Sequence, residues 1–140
     1  MTCECCAEIG GEMLWQDRSC RVVLAPEPQF PGFCRVIWQR HVKEMSDLAP
    51  EERQHFMAVV FVLEEVLREL MGPEKMNLAS LGNLTPHLHW HVIPRFADDS
   101  HFPAPVWAAA RRSPPERLLP PTWPEPLRQA LTAKLAAAKD

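Results

Sequence analysis

A short segment of the chain, His-Leu-His-Trp-His-Val-Ile, alternates histidine with apolar residues. A period of two predicts a β-strand, because successive side chains of a strand point to opposite faces of its sheet. His87, His89 and His91 then share one face at a spacing of about 6.6 Å, and the intervening apolar residues enter the core. The fold must therefore contain a sheet with one apolar face and one face that carries three imidazoles.

The longest regular pattern lies between Pro50 and Gly72, where apolar residues recur at three- and four-residue steps. This spacing predicts one long amphipathic helix. Pro50 suits the first helical position, and Gly72 with Pro73 ends the helix. The apolar stripe consists of Phe56, Val59, Val60, Leu63, Val66, Leu67 and Leu70.

Short apolar segments bounded by turn residues predict strands over 13–16, 21–24, 34–38, 76–81 and 88–93. Because strand pairs flank a single long helix, we expect an α+β fold with an antiparallel sheet of about five strands.

The composition changes after residue 102, since eight prolines fall between Pro103 and Pro126. We divide the chain into a domain over 1–102 and an irregular, proline-rich extension over 103–140 that ends in a helix over 127–139. Trp107 and Trp123 need cover from water, so the extension is expected to pack on the domain or on a partner subunit.

Bulk properties exclude several classes of function. A chain of 140 residues with a net charge of −3 has no broad basic surface, which argues against a nucleic-acid partner. The longest apolar run, from Phe56 to Leu63, is too short to span a bilayer. No apolar leader follows Met1, so we expect a cytoplasmic protein. Any phosphate ligand must be held locally, by a few cations and backbone amides.

Two chemistries suit three imidazoles on one strand face. Two alternate histidines of a strand can coordinate zinc or iron together with a carboxylate or a third histidine. Alternatively, the central imidazole can act as a nucleophile while its neighbours orient it and bind phosphate oxygens. Simple packing is disfavoured, because half of the six histidines lie within five residues. The residues alone leave both chemistries open.

His87 to Ile93 resembles, at all seven positions, the motif His-φ-His-φ-His-φ-φ (φ apolar) of the histidine triad (HIT) family of nucleotide hydrolases and transferases. Other pieces follow in that family's order over residues 3–96. They are the Cys3 and Cys6 pair, Pro31-Gly32, Arg40-His41, the helix start at 48–52, and Asn77 before the triad.

The resemblance implies a HIT fold, a homodimer and a small nucleotide substrate, either a dinucleoside polyphosphate or a nucleoside phosphoramidate. It gives His89 the role of nucleophile in a covalent nucleotidyl-histidine intermediate, and His91 a contact with phosphate oxygens. His87 and His41 would hydrogen-bond within the imidazole array. An imidazole is a good nucleophile near neutral pH, since its ordinary pKa is about 6.5. The chemistry requires no cofactor.

The expected substrate contacts are Asn77, Asn83, Thr85 and Arg95. Asn77 matches a family position that contacts phosphate or ribose. Asn83 and Thr85 flank Leu84, which stands where many members have a leaving-group hydroxyl. Strand alternation puts Arg95 on the face of His91, where it either contacts distal phosphates or pairs with Asp98 or Asp99 at the surface. Arg40 is a further candidate cation.

A second departure from the family is Ala25, which stands where several branches place the aspartate that holds the ribose; Glu27 is the nearest acid. Because the chain lacks that carboxylate and has Leu84 where the hydroxyl would be, a second function remains an alternative, that of a nucleotide-binding regulatory protein with little turnover. A metal-dependent enzyme that uses the histidine cluster as ligands is another.

The cysteines suggest a metal rather than disulfides, because their number, five, is odd and three of them crowd the N-terminus. In some HIT proteins a Cys-x-x-Cys pair binds structural zinc with two histidines. Here the resemblance implies a possible site formed by Cys3, Cys6, His41 and His87, in which two thiolates and two imidazoles make a tetrahedral set.

Overall fold

The computed structural model describes residues 3–117 and 119–137. Its helices are α1 (Glu4–Ala7), α2 (Pro50–Met71) and α3 (Pro124–Ala137), and a 3₁₀ turn covers Met45–Asp47. Its strands are β1 (Glu12–Gln16), β2 (Cys20–Leu24), β3 (Cys34–Trp38), β4 (Lys75–Ala79) and β5 (His89–Arg95). The expected end of the last helix, at Lys139, lies outside the described residues.

The five strands form one antiparallel sheet in the order β1-β2-β3-β5-β4. This confirms the α+β fold predicted from the sequence. The outer positions of β1 and β4 leave β5, the strand of the histidines, between β3 and β4, so it is paired on both sides.

The observed strand boundaries lie within two residues of the predicted ones, and β5 runs on to Arg95. The two differences next to the loop between β4 and β5 have a clear structural cause. β4 ends at Ala79 instead of residue 81, because the Ser80 hydroxyl donates to the carbonyl of His89 and the chain then turns at Gly82, whose φ is 79°. Leu88 precedes β5, and its backbone bonds Val42 and Trp38 instead of β4. The loop thus opens the sheet beside the first histidines.

One face of the sheet is covered by α2 and α3. Strand residues such as Val22, Val36 and Val92 are fully buried there against the apolar stripe of α2. Leu70 departs from the predicted stripe and is 40% exposed in the last turn of the helix. No helix within residues 3–117 and 119–137 is long and apolar enough to cross a membrane.

The C-terminal extension contributes to this core through α3. Leu127, Leu131 and Leu135 are buried in the same cluster as the α2 residues. Trp123 packs partly against that cluster, whereas Trp107 is half-exposed in the single chain.

The opposite face of the sheet is the one that carries polar groups. On β5 it presents His89, His91 and, past Ile93, Arg95. Antiparallel register sets Arg35 of β3 opposite His91, and Ile37 opposite His89. Residues distant in sequence therefore meet on this face because of the strand pairing.

Candidate active site

His89 presents a free nitrogen to a cavity. Its Nδ1 lies 2.6 Å from the backbone carbonyl oxygen of His87. Because a carbonyl oxygen only accepts hydrogen bonds, Nδ1 carries the proton of the neutral ring and the lone pair of Nε2 is left free. The side chain lines a cavity of about 670 Å³. A neutral imidazole held in this way can act as a nucleophile.

His91 lies edge-on beside His89, with the two ring centroids 4.9 Å apart. The Nε–H of Arg35, its partner across the ladder, donates to His91 Nδ1 at 3.4 Å. Nδ1 is therefore an acceptor, and the proton of the neutral ring sits on Nε2. Burial, followed by the effects of His89 and Arg35, lowers the pKa of His91 to about 3. Near pH 7, His91 is thus a neutral hydrogen-bond donor.

The cavity is assembled from distant segments of the chain. Its walls are α1, the glycines at 10 and 11, β3, the loop between β4 and β5, and Trp107 from the extension. The Trp107 and His91 rings meet edge-on with centroids 5.0 Å apart. The volume falls within the range of about 300–1,000 Å³ that is usual for small-molecule sites.

The N-terminal wall of the cavity is held in place by Arg21, a buried residue of β2. Its guanidinium donates to the backbone carbonyls of Cys5, Glu8 and Ile9 and to the side-chain oxygen of Gln39. These bonds satisfy carbonyl groups that a four-residue helix cannot satisfy by itself.

A second cluster joins the first triad histidine to the N-terminus. His87 Nδ1 lies 3.3 Å from Cys3 Sγ, 3.5 Å from Cys6 Sγ and 3.1 Å from His41 Nδ1. His87 Nε2–H donates to the carbonyl of Trp38 at 2.5 Å. This bond fixes the tautomer in which Nδ1 turns its lone pair toward the thiols and His41.

The geometry of this cluster fits zinc. The four donor atoms all lie within 4.8 Å of one another. Tetrahedral Zn–S bonds of about 2.3 Å and Zn–N bonds of about 2.0 Å give donor–donor distances of about 3.3–3.8 Å, close to those observed. Burial also lowers the pKa of His87, which favours the neutral form that binds metals.

The four imidazoles lie in two pairs, His41 with His87 and His89 with His91. His41 and His87 face the two cysteines, while His89 and His91 face the cavity. His87 lies before the first residue of β5, and it reaches His89 through its backbone carbonyl.

Of the residues predicted to contact the substrate, two line the cavity and Asn77 does not. Asn83 and Thr85 line the cavity beside the histidines. Leu84, between them, is 98% exposed. Asn77 lies on β4, where its Oδ1 accepts a bond from Arg95 at 2.8 Å. Ala25 is buried, so the family's ribose aspartate has no counterpart there.

Glu27 lines a second cavity, formed with the proline-rich segment after β2. The cavity beside the triad instead has two exposed acids from the N-terminal segment, Glu4 and Glu8. Arg40 forms an exposed ion pair with Glu52.

Arg95 is 2% exposed and is enclosed by the chain that follows it. It donates to both carboxylate oxygens of Asp99, at 2.8 and 3.0 Å, to Asn77 and to the carbonyl of Ala104. The strand runs straight through Pro94, which pairs with Met76. The sequence predicted a phosphate contact or a solvated ion pair, and the structure shows a buried ion pair in which Arg95 makes four hydrogen bonds within the protein.

Arg21, Arg35 and α1 were absent from the sequence-based site. Alternation within the predicted strand at 34–38 was a usable signal for Arg35, since it opposes the apolar face of Cys34 and Val36. Nothing local in the sequence indicated the register that brings Arg35 to His91.

Comparison with known proteins places these features in a family context. A family model described as the HIT domain matches residues 7–98. The AP-4-A phosphorylase of Mycobacterium tuberculosis is 33% identical over 86 residues, which cover 57% of this chain and 44% of that protein. A bis(5'-nucleosyl)-tetraphosphatase of Schizosaccharomyces pombe is 26% identical over 92 residues, 62% of this chain and 50% of that protein. The chain thus spans about half the length of these relatives.

Solved structures match over more of the chain. A histidine triad protein from Marinobacter aquaeolei VT8 has a TM-score of 0.76 at 28% identity, covering 95% of this chain and 96% of that one. A Zn-bound histidine triad family protein from Mycobacterium smegmatis has a TM-score of 0.68 at 26% identity, covering 99% and 98%.

The buried ion pair of Arg95 with Asp99 predicts a pH-dependent contribution to stability. Burial acts to raise the pKa of Asp99, but bonds from Arg95 and from the amides of His101 and Phe102 lower it to about 2. A carboxylate with a lowered pKa stabilises the fold above its ordinary value of about 3.9, and this contribution is lost as the pH falls toward 2. Asp99→Asn should cost about 3–5 kcal/mol at pH 7, since it leaves a buried guanidinium without its partner.

The matched control is Asp98→Asn, which removes an exposed ion pair with Arg117 and should cost under about 1 kcal/mol. Chemical denaturation of both variants at pH 7, 4 and 2.5 measures the differences. Equal costs for the two variants, or a cost of Asp99→Asn that stays constant down to pH 2.5, would contradict this assignment.

Proposed function

The chain belongs to the histidine triad (HIT) family, and from this premise we propose that it transfers or hydrolyses nucleotidyl groups through a covalent adduct on His89. The observation that carries the proposal is the hydrogen bond from His89 Nδ1–H to the carbonyl of His87. It leaves Nε2 unprotonated at the wall of a cavity large enough for a nucleoside phosphate.

In the first step, His89 Nε2 forms a bond to the α-phosphorus of the substrate. The bond from phosphorus to the leaving group breaks, and the leaving group departs with the bonding electron pair. The imidazole becomes positively charged, and its Nδ1–H remains on the carbonyl of His87, whose partial negative charge stabilises that cation. Water then attacks the same phosphorus, and the P–N bond breaks with its electron pair returning to Nε2, which releases the nucleoside monophosphate and regenerates neutral His89. The proton that the water loses passes to the departed leaving group or to solvent.

The side chains near His89 bind and orient the substrate. The Nε2–H of His91 donates to a non-bridging phosphate oxygen, because its Nδ1 is engaged by Arg35. Asn83 and Thr85 line the cavity on either side of Leu84, and Thr85 supplies the hydroxyl near the leaving group that Leu84 lacks. Asn77 is held by Arg95, and both belong to the scaffold beneath the site.

The substrate class we propose is a dinucleoside polyphosphate or a nucleoside phosphoramidate. The names of the two curated relatives support the first. We also propose a cytoplasmic homodimer, as the family resemblance implies. β4 lies at an edge of the sheet, where backbone groups on the outer side are available for pairing with a second copy.

A nucleotide-binding protein with little turnover is the second candidate. It is favoured by Leu84, which brings an exposed apolar side chain to the position of the usual hydroxyl. Catalysis by a metal on the triad receives less support, because the metal-binding geometry includes His87 with Cys3, Cys6 and His41 and leaves His89 and His91 at the cavity.

We propose that Cys3, Cys6, His41 and His87 hold a structural zinc ion, in line with the Zn-bound relative. Such an ion would cross-link the N-terminal segment to the segments that follow β3 and precede β5, and would balance the charge of the two thiolates. Glu4 and Cys5 lie between the two cysteine ligands, Glu8 follows them, and all three line the cavity. The zinc site therefore supports the shape of the substrate site.

For the nucleophile, His89→Asn should lower turnover by roughly 10³- to 10⁶-fold, the scale for loss of a covalent nucleophile. Dinucleoside tetraphosphate and nucleoside phosphoramidate hydrolysis would be assayed in parallel. Mass spectrometry of the wild type after a quench that avoids acid should find a nucleotidyl group on His89. The control is His55→Asn, the same change at a histidine that pairs with Asp17 away from the cavity.

An adduct on a different residue, or near-normal turnover of His89→Asn, would refute the covalent mechanism. Nucleotide binding without any turnover or adduct in the wild type would establish the second candidate.

For the metal, the purified protein should contain about one zinc ion per chain. Cys3→Ser should lower both the zinc content and the melting temperature, because it removes one of the four ligands. Cys5→Ser is the matched control, since Cys5 lies next to the ligands in sequence but outside the cluster. Metal-free wild-type protein, or equal effects of the two serine variants, would contradict the zinc site.

A further inference from the structure

Arg35 is a cation at the candidate site to which the family resemblance gives no role. Its position on β3 is directly opposite His91 of β5. Its Nε–H donates to His91 at 3.4 Å, and its guanidinium carbon lies 5.3 Å from the centroid of the Phe33 ring. Two neighbouring side chains therefore orient the guanidinium on the wall of the cavity.

The charge of Arg35 is not balanced by a carboxylate. In the described parts of the chain, no ion pair includes Arg35, and its N–H groups other than Nε–H have no hydrogen-bond partner. The contrast with Arg21 and Arg95 is direct, because each of these donates to several oxygen atoms. A half-buried guanidinium has lost part of its hydration. Without a carboxylate partner, it gains no ion-pair energy to offset that loss.

Within the described lining of the cavity, Arg35 is the only lysine or arginine. The acids of that lining, Glu4 and Glu8, come from the N-terminal segment, whereas Arg35 adjoins the triad. Arg35 is therefore the one lysine or arginine of this lining and lies next to His91. A ligand whose anionic group lies next to the histidines fits this placement of charge.

We propose that Arg35 binds the phosphate group that His89 attacks, by donating its free N–H groups to the non-bridging oxygens. The proposal rests on the function proposed above and adds a residue to it. The planar guanidinium matches two phosphate oxygens at once, and its charge offsets the negative charge of the reacting phosphate. Its Nε–H meanwhile keeps His91 in the tautomer whose Nε2–H points to the same group.

This assignment explains how an acidic chain can bind an anionic substrate. The net charge of −3 provides no long-range attraction, and Arg95 and Arg40 are committed to carboxylates. One partly desolvated arginine in contact with the triad supplies the charge locally, where low solvent exposure strengthens its interaction with phosphate.

The test compares the binding of a nucleoside with that of its 5'-monophosphate, using adenosine and guanosine pairs because the base preference is not established. Arg35→Gln should raise the dissociation constant of the preferred monophosphate by about tenfold or more, the usual scale for a lost charge-assisted hydrogen bond. The dissociation constant of the nucleoside should stay unchanged. Arg35→Lys keeps the positive charge but loses the planar pair of N–H donors. Its dissociation constant for the monophosphate should therefore lie between those of the wild type and Arg35→Gln.

The matched control is Arg68→Gln, which removes the same charge from an exposed position on α2, and the melting temperatures of all variants show whether the fold is kept. A wild type that binds monophosphates no more tightly than nucleosides would overturn the proposal. So would equal weakening of nucleoside and monophosphate, or no weakening at all, in Arg35→Gln. Adduct formation on His89 is measured separately, so a failure of the covalent mechanism is distinguishable from a failure of this assignment.

Discussion

The site depends on the hydrogen bonds of one residue, His87, which is fully buried. Its ring donates from Nε2 to the carbonyl of Trp38 and turns Nδ1 toward Cys3, Cys6 and His41. Its backbone carbonyl accepts the proton of His89 Nδ1. The ring thus belongs to the proposed zinc site, and the carbonyl orients the proposed nucleophile. Any change that moves the backbone at residue 87 should therefore disturb the N-terminal segment and the proposed nucleophile together.

The two faces of the sheet have different roles: one packs against the helices, and the other carries the side chains of the candidate site. The face toward α2 and α3 is apolar and closely packed, and α3 brings the C-terminal extension into the same core. The opposite face carries His89 and His91, with Arg35 added by register from β3. β3 pairs with β5 at both His89 and His91, and β4 pairs with it from His91 onward, so the strand backbone holds the two imidazoles in place, which is what a preorganised site requires. Most of the remaining cavity wall comes from α1 with the residues after it and from the loop between β4 and β5, and the buried Arg21 holds the N-terminal part.

The elements with strong periodicity could be predicted from the sequence. The alternation around His89 and the stripe of α2 gave the strand, the helix and the α+β class, because burial on one side imposes a period on the chain. The pairing of Arg35 with His91 could not be predicted, since register is set by contacts across strands. The enclosure of Arg95 was also missed: it depends on Asp99 and on the turn of residues 96–104, which no local pattern indicates. Cys3 and Cys6 are candidate metal ligands only together with His41 and His87, which the fold brings to them.

The central claim is that His89 is protonated on Nδ1 and presents a free Nε2 to the substrate cavity. Heteronuclear NMR of protein labelled with ¹⁵N in its histidine rings measures this directly at neutral pH, because the two tautomers differ in which ring nitrogen carries the proton. The account predicts that the His89 proton is on Nδ1, hydrogen-bonded to the carbonyl of His87, with Nε2 unprotonated. A His89 ring that carries its proton on Nε2 would contradict the account, since the nitrogen facing the cavity would then be unable to attack phosphorus.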